Sequence, residues 1–216
     1  MVIDYYSDVL CVWAWISQRR IEELESQWGE QIHLKHQCVD VFGDTASKID
    51  AGWRDRGGYE GFAEHVQASA ARFEHVTLHP DLWVRVRPAT SANAHLVLKA
   101  VEITESHTGM VSFAKRLRRA FFVEAMDIGQ LSVVRDLATD FGLDAAALRS
   151  VLTSGRAMAV LMTDYRHADQ KGIHGSPTWV MNEGRQTLFG NVGYRVLNAN
   201  VEELLRHPEQ EASWCS

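Results

Sequence analysis

β-branched and aromatic residues crowd the first positions of the chain, and apolar residues then return every four. Met1-Val2-Ile3-Asp4-Tyr5-Tyr6 contains no helix breaker and predicts a short strand. Beyond it Ile16, Leu24 and Trp28 share one spacing with Arg20, and Ile21 lies beside them, which predicts a helix. Ser7 and Asp8, both residues that can cap a helix start, stand between the two. Cys11 therefore falls where a strand hands over to a helix N-terminus. Unsatisfied backbone N–H groups and the helix dipole gather there and favour a thiolate. Free cysteine is also among the most buried residue types, so position alone leaves a reactive and an inert thiol equally open.

Gln31 to Phe42 alternates apolar and polar residues and predicts a second strand, which makes the opening segment a βαβ unit with a right-handed crossover. In such units ligands sit beyond the carboxyl ends of the strands, the edge at which Cys11 lies. Gly43 to Gly61 reads as irregular, and a helix is expected from Tyr59 to Phe73. The alternation Trp83-Val84-Arg85-Val86-Arg87 suggests a short extended segment. From Thr90 to Phe141 the spacing is helical throughout, with a break expected at Gly109. Asp144 caps a further helix, and Arg156 to Lys171 forms another, closed by Gly172. Gly172 to Pro177 is a turn, Thr178 to Met181 a strand, Asn182 to Arg185 a hairpin turn, and Thr187 to Phe189 the returning strand. Tyr194 to Leu205 reads as a last amphipathic helix, followed by a polar tail that carries Cys215.

The fold expected is α/β: a thioredoxin-like fold with a large all-helical insertion between its βαβ and ββα halves. Residues 1–43 and 156–207 would form the discontinuous thioredoxin-like domain, and 44–155 the insertion. Composition changes this picture only by exclusion. Among the 216 residues, 46% are apolar and 23% charged, an ordinary globular balance. The net charge of −6 offers no basic face for nucleic acid. The ten histidines show no metal-ligand spacing, so no metal is expected. Asp4 interrupts any leader-like apolar run, and no stretch approaches the ~20 apolar residues of a membrane span. The expected setting is the cytoplasm, away from membranes. Three cysteines, Cys11, Cys38 and Cys215, are an odd number without close spacing, which fits reduced thiols.

A strand, a cysteine at a helix start, a long helical insertion and then Gly172-Ile173-His174-Gly175-Ser176-Pro177-Thr178-Trp179-Val180 before a hairpin together resemble the DsbA family. More closely it resembles the cytosolic branch of FrnE-like proteins, 2-hydroxychromene-2-carboxylate isomerases and kappa-class glutathione transferases. Asn93-Ala94-His95 and the Arg119-Ala120-Phe121-Phe122 stretch resemble the family's insertion helices. The resemblance implies that Pro177 is a cis-proline facing Cys11, with Ser176 presenting its backbone N–H and C=O to a peptide or glutathione. It implies Trp13 as a wall of the site and Asn191 as a contact for the γ-glutamyl end of glutathione.

One position departs from the redox pattern: Ala14 stands where Cys-x-x-Cys proteins carry their second cysteine. A single thiol can form a mixed disulfide but cannot resolve it internally. The expected activity is a one-thiol oxidoreductase acting with glutathione or another thiol- or disulfide-bearing partner, through Cys11, Trp13, Ala14, Ser176, Pro177 and Asn191. The alternative is a glutathione-dependent isomerase or transferase acting on a small aromatic substrate, with Trp53, Tyr59, Phe62 and Trp83 as candidate liners. A peptide-binding module without turnover is a third reading, and homodimerisation is left open.

Overall fold

The computed structural model describes residues 1–209; Cys215 and the tail around it lie outside them. Strand β1 (Val2–Ser7) feeds helix α1 (Val12–Trp28), which returns to β2 (His33–Cys38). The two strands pair in parallel, from Val2 opposite His33 to Ser7 opposite Cys38. Far along the chain β3 (Thr178–Met181) pairs antiparallel with β1, and β4 (Gln186–Phe189) antiparallel with β3. The sheet order is β2-β1-β3-β4, and α8 (Tyr194–Arg206) follows. This is the thioredoxin-like α/β fold.

Alternation along the strands splits the sheet into two apolar faces. Ile3, Tyr5, Leu34 and Trp179 pack with Ile21 and Leu24 of α1 and with Leu197 and Val201 of α8. Tyr6, Val39 and Val180 face the other way, onto Ala168 and Ile173. Between the two halves of the sheet run α2 (Gly58–Ala70), α3 (Ala92–Thr104), α4 (His107–Phe122), α5 (Leu131–Asp140), α6 (Ala145–Thr153) and α7 (Arg156–Gln170). Their apolar faces form the largest core, which is continuous with Leu10, Cys11 and Val12 at the start of α1. The thiol thus sits where the sheet meets the helices. Among the described residues no helix is long and apolar enough to cross a membrane.

Several local expectations are corrected. The second strand ends at Cys38, because the N–H groups of Val41 and Phe42 turn to the Asp8 carboxylate instead of a strand. The Gly43–Gly61 stretch carries helical turns at Ala46–Ala51 and Arg54–Arg56. Trp83 to Arg87 is no extended segment. Trp83 has φ 62° and donates its N–H to Val86 O at 2.9 Å, which closes a tight turn with the indole wholly buried. Gly109 does not break a helix. The break is at Glu105–Ser106, where Ser106 caps α4 by accepting from Gly109 N.

The outer edge of β2 is covered by side chains. His36 N donates to His107 Nε2 at 3.1 Å, and Cys38 N donates to Asp164 Oδ2 at 2.8 Å. The His36 ring is buried against this strand, and burial, with Arg118 and other cations nearby, pushes its pKa down to about 3. Its folded value therefore lies below the ordinary ~6.5 of the unfolded chain. Stability held above about pH 6.5 is lost as pH falls toward 3, because only the unfolded state takes up the proton. Between pH 7 and pH 5 this residue should remove about 2 kcal/mol. Urea midpoints across that interval should fall more steeply for the wild type than for His36→Gln; equal slopes would refute the assignment.

Candidate functional site

Helix α1 starts without a side-chain cap. Cys11 itself is its N-cap residue, and its carbonyl accepts from Ala14 N and Trp15 N, both at 3.1 Å. Ser7 and Asp8, expected as caps, are engaged elsewhere: Ser7 Oγ accepts from Arg118, and the Asp8 carboxylate accepts from Leu10 N, Val41 N, Phe42 N and Ser91 Oγ. The Cys11 thiol is 5% exposed and donates from Sγ to Ser176 O at 3.1 Å. The Ser176–Pro177 peptide bond is cis. The loop carrying it is held by Asp8 N, which donates to Ser176 Oγ at 2.9 Å, and by Gly190 N, which donates to Pro177 O at 2.8 Å.

Beside the thiol lies a cavity of about 280 Å³. Leu10, Val12, Phe42 and Phe62 give it an apolar wall, and Lys48, His65 and His174 a basic rim. Trp13, Trp53 and Phe189 also line it. Gly175 lets the Phe189 ring close over the loop, since a Cβ there would stand 2.0 Å from the ring.

The sequence reading expects the helix terminus to lower the Cys11 pKa. In this closed arrangement the reverse holds. Burial pushes it up, the contact with Ser176 and the first-turn N–H groups pull it down less strongly, and the Asp8 charge adds to the rise. Desolvation disfavours the charged form and outweighs the dipole here. Cys38 is pushed up to about 12, again by burial, and does not line the cavity.

Of the expected site residues, Cys11, Trp13 and Ser176 line the cavity. Pro177 is buried behind Ser176, and Ala14, 1% exposed, points into the core. Asn191 is exposed, does not line the cavity, and accepts from Arg20 Nη1 at 2.7 Å. Trp53 and Phe62 are liners, whereas Trp83 is core and Tyr59 stacks on it at 6.4 Å. Lys48, His65 and Phe189 went unnoticed in the sequence. Nothing local marks them, since only the folded chain brings them to Cys11.

This arrangement offers one nucleophile in protonated form, a backbone carbonyl beside it, and a cavity that is apolar inside and basic at the rim. Such a site suits attack on a sulfur or a conjugated carbon of an anionic partner, once the thiol has lost its proton.

Solved structures share the fold. A Nitrosomonas europaea protein bearing the provisional label of protein disulfide isomerase is 20% identical, with 95% of this chain and 98% of that one covered and a TM-score of 0.78. A 2-hydroxychromene-2-carboxylate isomerase is 17% identical over 99% of this chain and 100% of its own, with a TM-score of 0.68. The cytosolic disulfide reductase DsbM from Pseudomonas aeruginosa is 19% identical, covering 95% and 99%, with a TM-score of 0.65. In sequence, the DSBA-like thioredoxin domain family matches residues 2–202, the sheet and the helical block alike. Agreement over that whole span places the chain in one family: it belongs to the DSBA-like thioredoxin domain proteins.

Proposed function

We propose that the protein is a thiol–disulfide oxidoreductase that works through Cys11 alone, with glutathione as co-substrate. One observation carries the reading: the Cys11 thiol stands 3.1 Å from Ser176 O at a helix start whose third residue is Ala14 rather than cysteine. The resting S–H donates to Ser176 O. A peptide backbone laid along Ser176 would offer its own N–H to that oxygen and release the thiol from it. The freed thiolate would then face the N–H groups of the first turn of α1. It attacks one sulfur of oxidised glutathione, forming the Cys11–glutathione disulfide and breaking the glutathione S–S bond. The departing glutathione thiolate takes up the proton that Cys11 lost, so no further oxidant is needed.

Trp13 walls the site, and Ser176 and Pro177 hold the partner's backbone. Asn191, presented with Arg20, is proposed to receive the γ-glutamyl end. The basic rim of Lys48, His65 and His174 suits an anionic tripeptide. DsbM, whose fold this chain shares, has been solved with GSH. Cys11 and Cys38 are both free thiols, which suits a reducing compartment, and we place the protein in the cytoplasm.

A second reading is a glutathione-dependent isomerase or transferase for a small aromatic substrate. Trp53 and Phe62, edge to face at 5.1 Å on the cavity wall contributed by the 44–155 insertion, favour it.

Incubation with oxidised glutathione followed by intact-mass measurement decides between them. The expected result is one glutathione per chain, located at Cys11, stable until dithiothreitol is added and absent in Cys11→Ser. An internal disulfide, or an adduct elsewhere, would defeat the proposal. Reversible binding of glutathione without an adduct would favour the isomerase or transferase.

A further inference from the structure

We propose that Asp8 is the positioning residue of this site: its buried carboxylate holds the Cys11 turn and the Val41–Phe42 wall in register, and its backbone N–H holds the Ser176 loop. The proposal rests on the thiol reading of Cys11 given above.

Asp8 is wholly buried. A carboxylate in that position needs compensation for its lost hydration, and here it comes almost entirely from donors of the site itself. Oδ1 accepts from Leu10 N at 2.9 Å, in the turn that delivers Cys11. Oδ2 accepts from Val41 N at 3.1 Å, Phe42 N at 2.9 Å and Ser91 Oγ at 2.8 Å. The backbone N–H of Asp8 donates to Ser176 Oγ at 2.9 Å. Leu10, Val41, Phe42 and Ser176 all line the cavity beside the thiol. One side chain and its own amide therefore tie together segments far apart in the chain.

Among the described residues no Lys or Arg pairs with Asp8 at close range. His95 Nε2 lies 3.8 Å from Oδ1, but it accepts from Val9 N at 3.1 Å and so carries no proton, and burial lowers the pKa of its ring. Arg118 on α4 turns to Ser7, while Tyr165 on α7 shares a hydrogen bond with His95. Asp40 stands just after β2, and Tyr5 lies on β1. On the cavity side the charged or titratable neighbours are Lys48, His65 and His174. The Asp8 carboxylate, three residues from Cys11, works against the thiolate while ordering the groups that a thiolate would use.

The test separates charge from geometry. Asp8→Asn keeps the shape, removes the charge and turns an NH2 toward backbone donors. Its Cys11 alkylation profile with iodoacetamide should move to lower pH, giving a rate at pH 7.5 about threefold above wild type, equivalent to half a pH unit. Its rate with oxidised glutathione, compared at equal thiolate fraction, should fall about tenfold, since a misplaced Cys11 turn and Val41–Phe42 wall lose orientation. Ser91→Ala keeps the charge and loosens the clamp. It should retain the wild-type iodoacetamide profile and react with oxidised glutathione about threefold more slowly. A residue of structural importance alone would lower the melting temperature and leave both profiles in place.

The proposal is overturned if Asp8→Asn is natively folded and matches wild type in both reactions. Should Asp8→Asn fail to fold, Ser91→Ala decides alone, and a wild-type glutathione rate there overturns it. Alkylation profiles that separate in a protein taking no glutathione would sustain the role of Asp8 and remove the glutathione reading instead.

Discussion

Replacing Ala14 by cysteine should convert a one-thiol site into a two-thiol one. Ala14 is the third residue of α1 and donates its N–H to Cys11 O. Residues three apart on a helix share a face. Helix geometry puts their Cα atoms about 5 Å apart, inside the roughly 4.4–6.8 Å window that a disulfide tolerates. The new thiol would be nearly buried, as Ala14 is, and so reachable chiefly by an adduct already on Cys11. With oxidised glutathione, Ala14→Cys should show only transient glutathionylation, then an internal disulfide and release of a second glutathione. The oxidised variant should transfer that disulfide to a reduced, unfolded protein, a reaction not expected of the wild type with its single thiol. Accumulation of the adduct in Ala14→Cys, to the wild-type level, would show that the two positions cannot meet and that Ala14 is not what limits the chemistry.

The largest expected effect on stability is at Lys99. Its ammonium is buried on α3, 2.6 Å from Asp164 Oδ2 and 2.8 Å from Glu102 Oε2. Asp164 in turn accepts from Cys38 N, and Glu102 Oε1 is 2.7 Å from His107 Nδ1. Lys99→Met would leave the Asp164 carboxylate buried without its counter-charge. Breaking a buried pair from one side costs about 3–5 kcal/mol, a large share of the roughly 5–15 kcal/mol that holds a domain folded. Removing both partners, in Lys99→Met with Asp164→Leu, should recover much of the loss, because no orphan charge remains. Chemical denaturation of the two single variants and the double variant measures this as a coupling energy. A single-variant loss under about 1 kcal/mol would mean that water reaches the pair and screens it.

The parts of the fold that were legible in the sequence are those whose partners are near in the chain. The four-residue spacing of Ile16, Leu24 and Trp28 and the β-branched opening strand express local periodicity, and both elements form as expected. Ser176-Pro177-Thr178 was legible as the start of a strand because proline and the apolar run after it are local signals. Errors arose where a distant residue outbid the local pattern. Val41 and Phe42 continue the alternation of β2 but give their N–H groups to Asp8. Trp83 and Val86 look like strand residues, yet Asp81 O gathers Val84, Arg85 and Val86 N–H groups into a turn beneath a buried indole. The position of Cys11 could be read from the sequence and its ionisation could not. Its burial is a tertiary property: Phe42, Phe62 and Phe189, which line the cavity beside it, come from distant segments of the chain.

The unequal edges of the sheet carry a consequence for self-association. An open strand edge is a template on which another chain can polymerise. On β2 two successive outward N–H groups, those of His36 and Cys38, are already consumed by His107 and Asp164, with helices α4 and α7 behind them. No incoming strand can register there without first peeling those helices away. Growth is therefore confined to β4, a four-residue strand, at the opposite margin. Two copies joined there would run antiparallel about a two-fold axis, each covering the other's β4 edge. Pairing of that kind would double the sheet once without extending it into a fibre, because the β2 margin of each copy is already engaged by His107 and Asp164.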